Sequence, residues 1–183
     1  MLSRAFIIFM LKTLCFVTVL LFLNSCLPDR EFPAPVLPPA TGSGTVVINE
    51  IAPNETPDWI EMANPSSQDL LMKAREWFFS DDTTNRTKDT LKVDLVIPAK
   101  AYRLIECNPV NPLAERIKVW FSLSSTNGEF FGIYRKKIDG SLEIVSEVQF
   151  PAGIAAGTSF ARKPDLTGSF QISSTQSPGQ PNP

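Results

Sequence analysis

The sequence predicts an all-β domain arranged as a two-sheet sandwich, and three observations predict it. Short runs rich in β-branched and aromatic residues recur between turn signals across residues 45–183, about seven in one domain-sized stretch. The segment Lys137-Ile138-Asp139-Gly140 separates two of these runs, and Asp-Gly is a strong hairpin signal. No long 3.6-residue period interrupts the pattern; Leu70 to Trp77 has some helical propensity but is short.

The elements follow in order. Thr45 to Ile51 is a β-branched run, and Asp58 to Ala63 is a second candidate strand. Leu91, Val93, Leu95 and Ile97 alternate with Lys92 and Asp94 up to Pro98, the pattern of a strand that stops at proline. Ala101 to Cys107 forms the next strand after a short turn. Glu129 to Arg135 and Leu142 to Phe150 are the two arms of the hairpin. In the second arm Leu142, Ile144, Val148 and Phe150 fall on one face, with Glu143, Glu147 and Gln149 on the other. That is a half-buried antiparallel strand. Trp59, Trp77, Phe79, Phe131 and Ile133 are expected in the core, because large aromatics fill the space between two sheets.

The domain is preceded by a leader. Arg4 supplies a positive start, Thr13 to Leu23 is an apolar run of secretory length, and the run ends in Leu23-Asn24-Ser25-Cys26. This resembles the lipobox of bacterial lipoproteins. The resemblance implies that residues 1–25 are removed as a signal peptide and that Cys26 becomes the lipid attachment site, diacylated on sulfur and further acylated, with palmitate among the expected chains. The alternative is one membrane-spanning helix from Ala5 to Leu23. Lys12 lies inside that stretch, where an ammonium is costly in lipid. Residues 26–44 contain Pro28, Pro33, Pro35, Pro38 and Pro39 and read as a proline-rich linker. At about 3.1 Å per residue it would hold a domain up to roughly 50 Å from the membrane. Asp29 and Glu31 beside Cys26 suggest sorting to the outer membrane, on its periplasmic or surface face.

Composition excludes several function classes. Without residues 1–25 the chain has 158 residues, 15 basic and 19 acidic, a net charge of −4. That argues against nucleic acid as a partner. The sequence has no histidine, which removes the usual Ser-His-Asp and Cys-His mechanisms and His-ligated zinc or iron. With Cys15 in the leader and Cys26 lipidated, only Cys107 remains, expected as a buried inert thiol.

The order of short motifs resembles the lamin tail domain in its bacterial form. The residues concerned are Ile48-Asn49-Glu50, then Asp58-Trp59-Ile60-Glu61-Met62-Ala63-Asn64-Pro65, then Trp77-Phe78-Phe79-Ser80-Asp81-Asp82. Ile97-Pro98-Ala99, Leu123-Ser124-Ser125, Ser159-Phe160-Ala161-Arg162-Lys163-Pro164-Asp165 and Ser177-Pro178-Gly179-Gln180-Pro181-Asn182 complete the series. The likeness covers about residues 45–182 and implies an immunoglobulin-like β-sandwich. One departure concerns the family's short L-S-G-W turn: here Leu70 to Trp77 is longer and has no glycine.

Three places carry the residue types of chemistry. Asp81, Asp82, Asn85 and Asp89 are candidate oxygen ligands for calcium, without the glycine spacing and final glutamate of an EF-hand, so a solvated polar loop is the competing reading. Thr83 and Thr90 sit in Asp-Thr-Thr and Asp-Thr-Leu contexts that match an O-glycan acceptor pattern of some bacteria, and Asn54 and Asn85 match the N-glycan sequon. Glu50, Asp58 and Glu61 form a carboxylate set of the kind glycoside cleavage uses, although nothing in their spacing brings them to a cleft. Glu61 and Asn64 are expected to bond backbone at a strand end and turn, and Arg162 beside Asp165 either to clamp the last turn to the sandwich or to form an ordinary surface pair worth little. No cofactor and no catalytic residue is assigned. The expected function is a non-enzymatic binding or adhesion module for an envelope protein or surface glycan, lipid-anchored in the bacterial envelope. The alternative is a calcium-assisted hydrolase of glycan or phosphoester.

Overall fold

In the computed structural model, residues 45–111 and 116–183 are described. The expected leader (residues 1–25), the expected lipid site Cys26 and the expected linker (residues 26–44) lie outside them. Every regular element among the described residues is a β-strand, twelve in all.

Strands β1 (Val47–Ala52), β2 (Asp58–Ala63), β7 (Tyr102–Cys107), β8 (Ile117–Val119), β11 (Ser159–Lys163) and β12 (Ser169–Ser173) form one sheet in the order β12-β11-β1-β2-β7-β8. Strands β4 (Trp77–Ser80), β5 (Asp89–Thr90), β9 (Glu129–Lys136) and β10 (Leu142–Phe150) form a second, ordered β10-β9-β4-β5. A two-stranded piece pairs β3 (Leu70–Met72) with β6 (Leu95–Ile97). All pairings are antiparallel except β7 with β8. Ile48, Ile51, Ile60, Met62 and Ile105 of the first sheet join Trp77, Phe79, Phe131, Ile133, Val148 and Phe150 of the second in one buried cluster. Two sheets thus share one core, which fixes their relative placement.

The sequence pattern and the structure differ where a strand gains a residue. In β1 the pairing shifts between Ile48 and Glu50, so Ile48 and Ile51, three apart, both reach the core. In β10 a shift between Ile144 and Ser146 divides the strand. Val148 and Phe150 are buried, whereas Leu142 and Ile144 lie on the exposed face with Glu147 and Gln149. The expected single apolar face is therefore broken at Val145, because one inserted residue inverts the alternation beyond it.

The run from Leu91 to Ile97 is not one strand. Leu91 N–H donates to Trp77 O (2.9 Å) and Leu91 O accepts from Arg75 N–H (2.9 Å), extending the β4–β5 pairing. The chain then leaves that sheet, and Leu95–Ile97 pair with β3. Between them Asp94 accepts from Ala74 N–H (2.7 Å) and Val93 is exposed. Trp59 is buried but lies outside the shared core; its alternation with Ile60 puts it on the other face of its sheet, beside Glu61. Cys107 is buried, and burial pushes its thiol well above the ordinary range, the inert state expected.

The hairpin forms as its sequence demands. Gly140 takes φ +84°, and Lys137 N–H donates to Ser141 O (2.8 Å). Leu70 to Trp77 contains no helix but a strand and a turn in which exposed Arg75 adopts φ +64°. This left-handed position is where a glycine would sit without strain. Arg75→Gly is accordingly expected to raise stability by about 0.5–1 kcal/mol, relief of the left-handed strain exceeding the added freedom of the unfolded chain. A urea midpoint at or below that of the parent would refute this account of the turn.

A buried carboxylate latch and a candidate binding groove

The proposed calcium loop does not assemble a ligand set. Asp81 is held by Lys88 Nζ (2.6 Å), and Asp82 Oδ1 accepts from Thr84 N–H and Oγ1–H (2.8 and 2.7 Å). Asn85 Oδ1 accepts from Thr87 Oγ1–H (3.5 Å). Asp89 is buried away from them: Oδ1 takes Thr90 N–H (2.7 Å) and Oδ2 takes Trp120 N–H (2.9 Å). Among the described residues no three Asp, Glu, Cys or His side chains are grouped to hold a metal ion. Thr83 is exposed, whereas the Thr90 hydroxyl lies in β5 and donates to Trp77 O (3.2 Å). Asn54 and Asn85 are both exposed, and Asn54 Nδ2–H donates to Ile154 O (3.3 Å).

The carboxylate set divides. Glu50 and Glu61 are direct cross-strand partners, while Asp58 stands apart and accepts from Leu123 N–H (3.1 Å) and Glu55 N–H (3.2 Å). Burial raises the Asp58 carboxyl above its ordinary value. Glu50 and Glu61 have no exposed surface. The C-terminal tail closes over them. Ser177 N–H (3.2 Å) and Oγ–H (2.9 Å) donate to Glu50, as does the Ser159 hydroxyl. Gly179 N–H (2.6 Å) and Asn49 Nδ2–H (2.9 Å) donate to Glu61. Gly179 holds φ +79°, a conformation that suits glycine and aims its N–H at the carboxylate.

Asp165 is the third acid. It accepts from Asn49 Nδ2–H (2.9 Å), Asn182 N–H (2.9 Å) and the Tyr102 hydroxyl (2.6 Å). Asn182 Nδ2–H donates to Asn49 O and Arg162 O (both 3.1 Å), and its Oδ1 accepts from Ser177 Oγ–H (2.8 Å). Arg162 clamps the turn, though not by pairing with Asp165: its guanidinium donates to Ile48 O (2.7 Å) and Gly168 O (2.9 Å). Asn64 behaves as expected, donating to Gln68 O (2.8 Å) and Ile97 O (3.0 Å) and accepting from Ser66 N–H (3.0 Å). These carboxylates hold the chain to itself, which accounts for their burial without a reacting substrate.

Surface chemistry is found elsewhere. A groove of about 410 Å³ runs along the β8 edge toward the β5–β6 connection. Leu91, Leu95 and Ile117 line its apolar part, while Lys92, Val93, Arg116, Lys118 and Trp120 surround it. Trp120 is 61% exposed and Val93 69%. Alternation along β8 buries Ile117, Val119 and Phe121 and leaves Arg116, Lys118 and Trp120 on the other side. Arg116 pairs with Glu106 (2.8 Å) and Lys92 with Asp89 (3.2 Å), both acids being buried. A depression of about 610 Å³ beside the β9–β10 turn is lined by Glu76, Arg135, Lys136, Lys137, Ile138 and Asp139, with no aromatic side chain among them. The groove was not singled out from sequence. Its only signal was a tryptophan alternating with cations in Arg116-Ile117-Lys118-Val119-Trp120.

Two outcomes test the latch. Burial, with Glu50 and Asp165 nearby, raises the Glu61 carboxyl to about 7 against 4.5 for the free group. The folded state then binds a proton more tightly than the unfolded chain between those values, so stability falls as pH rises through 7. Acidification from pH 8 to 5.5 should add about 2 kcal/mol to the unfolding free energy through this group, and Glu61→Gln should remove that increment; a parent curve that falls on acidification would contradict it. Asn182→Ala, which strips a donor from the buried Asn49 carbonyl and from the half-buried Arg162 carbonyl, should cost about 2–3 kcal/mol with an unchanged urea m-value. An effect under about 0.5 kcal/mol would mean the tail is not latched.

No protein-family model matches this chain, nor does any curated protein.

Proposed function

We propose that the chain is a lipid-anchored protein of the bacterial envelope. Its described part is, on this reading, a lamin-tail-like module with an immunoglobulin-like sandwich, held outward on the proline-rich linker. The module is non-catalytic and binds a protein or glycan partner at the β8-edge groove. The observation that carries this reading is the exposed Trp120 beside an apolar, cation-rimmed groove. A large exposed aromatic on a rigid sheet edge favours recognition, since it offers contact area at little entropic cost. The motif order supports the family likeness: Asn49 and Glu50, Glu61, Asp165, and Ser177 with Gly179 and Asn182 come from four of its motifs and meet in one latch. The hydrolase alternative draws no support from the acids, which are taken up by that latch or by turn contacts.

The test is in-cell photocrosslinking from position 93 on the groove rim, with position 174 on the exposed tail as control. The N-terminal peptide is read from the same purified material. The expected outcome is a crosslinked product specific to position 93, either a discrete protein or a polydisperse carbohydrate, with lipid-bearing Cys26 as the N-terminus. Equal products from both positions, or none, would refute the groove as the binding face. An N-terminus retaining residues 1–25 would replace the lipid anchor with a membrane-spanning one.

A further inference from the structure

We propose that the ligand of this groove is an acidic polysaccharide, one sugar ring stacking on Trp120 while its carboxylate or sulfate groups meet Lys118, Arg116 and Lys92. This rests on the groove being the binding face and specifies what it takes. Three observations lead to it.

The first is charge. Three cations line the groove, and the two carboxylates that touch them, Asp89 and Glu106, are buried. Arg116 and Lys92 are each offset by a paired acid, so among the described residues the groove keeps one excess positive charge, at Lys118, on a chain whose net charge is negative. Such an island selects an anion by position rather than by bulk attraction. Arginine and lysine together suit carboxylate and sulfate, by forked hydrogen bonds and by point charge respectively.

The second is spacing. Arg116, Lys118 and Trp120 occupy alternate positions on one side of an extended strand, so consecutive members stand roughly 7 Å apart. A row of two cations and one aromatic plane fits a linear polymer with a charge on each repeat. The exposed indole offers a flat face to the C–H face of a sugar ring, and the apolar floor of Leu91 and Leu95 takes the same kind of surface. A volume of about 410 Å³ lies in the range of sites for small ligands or single units of larger ones.

The third observation weighs against an acidic peptide. A peptide would most readily add as a strand to the free edge of β8. That edge is three residues long, and Asp89 already occupies the N–H of Trp120 at its end (2.9 Å). Side-chain contacts remain available there, while the backbone ladder is cut short.

Tryptophan fluorescence reads the interaction directly, because Trp59 and Trp77 are buried and Trp120 is not. The mature chain in nonionic detergent is titrated with polygalacturonate, dextran sulfate, neutral dextran and polyglutamate. The expected result is a blue shift and protection from acrylamide with one or both anionic polysaccharides, weakened by added salt. Trp120→Ala should weaken binding at least tenfold, Lys118→Gln about fivefold, and Trp120→Phe should retain most of the affinity, with thermal unfolding unchanged in each because both side chains lie at the surface. A response to polygalacturonate alone assigns a uronate ligand, and to dextran sulfate alone a sulfated one. Equal binding of neutral dextran, retention of binding by Trp120→Ala, or no response to either anionic polysaccharide overturns the proposal. Binding of polyglutamate alone overturns it in favour of an acidic peptide. If the polysaccharides fail while position 93 still crosslinks a discrete protein, the ligand assignment falls and the groove remains the binding face.

Discussion

Two carboxylates buried on one face of the six-stranded sheet, Glu50 and Glu61, with half-buried Asp165 of the β11–β12 turn beside them, make the strongest demand in this structure. Glu50, Glu61 and Asp165 are removed from water to different degrees, and among the described residues no lysine or arginine forms an ion pair with any of them. A buried carboxylate without a countercharge is tolerable only if neutral donors surround it. Here the donors are backbone N–H groups of Ser177, Gly179 and Asn182, hydroxyls of Ser159, Ser177 and Tyr102, and the amide of Asn49. Most of these come from the last residues of the chain. An irregular tail is thereby made part of the fold: it is ordered because the acids need it, and the acids can be buried because it is there.

The same demand explains local irregularities. The β1 shift at Asn49 lets Ile48 and Ile51 both enter the core while Glu50 faces Glu61. It also frees Asn49 to donate to Glu61 and Asp165 and to accept from Leu166 N–H (3.0 Å), so one side chain ties β1, β2 and the β11–β12 turn together. In that turn Gly168 leaves no room for a side chain, since a Cβ would stand 2.0 Å from the Lys163 carbonyl. Close approach of two backbone segments requires the glycine there. Networks of this kind are cooperative, and each member loses value when another is removed.

How much of this was legible in the sequence depended on the range of the signal. Strands β1, β2 and β7 and the β9–β10 hairpin were readable, because β-branched runs and Asp-Gly act within a few residues. The β10 shift was not: period-two reading assumes no inserted residue, and Val145 between Ile144 and Ser146 leaves no local mark. The division of Leu91 to Ile97 between two pairings was hidden for a similar reason, since its alternation is equally consistent with one strand. The letters of the latch were visible as separate motifs, whereas their meeting spans more than 100 residues of chain. Trp120 was missed because a tryptophan is by default a core residue. Only its register against buried Val119 and Phe121 turns it outward.

The latch and the groove engage different parts of the fold. The first ties β1, β2 and the β11–β12 turn to the tail; the second lies along β8 and the β5–β6 connection. Residues without shared partners vary nearly independently in their effect on stability. The groove's exposed members, Lys92, Val93 and Trp120, and half-buried Lys118 are therefore free to vary at little cost to the core. Asp89 is the exception. It is buried, fixes Trp120 through its N–H, and touches Lys92 at the rim. Removing its carboxylate would leave a donor unpaired and loosen the strand end that carries the indole. Asp89 thus orders the strand end that carries Trp120, and among the described residues no set of metal ligands forms around it.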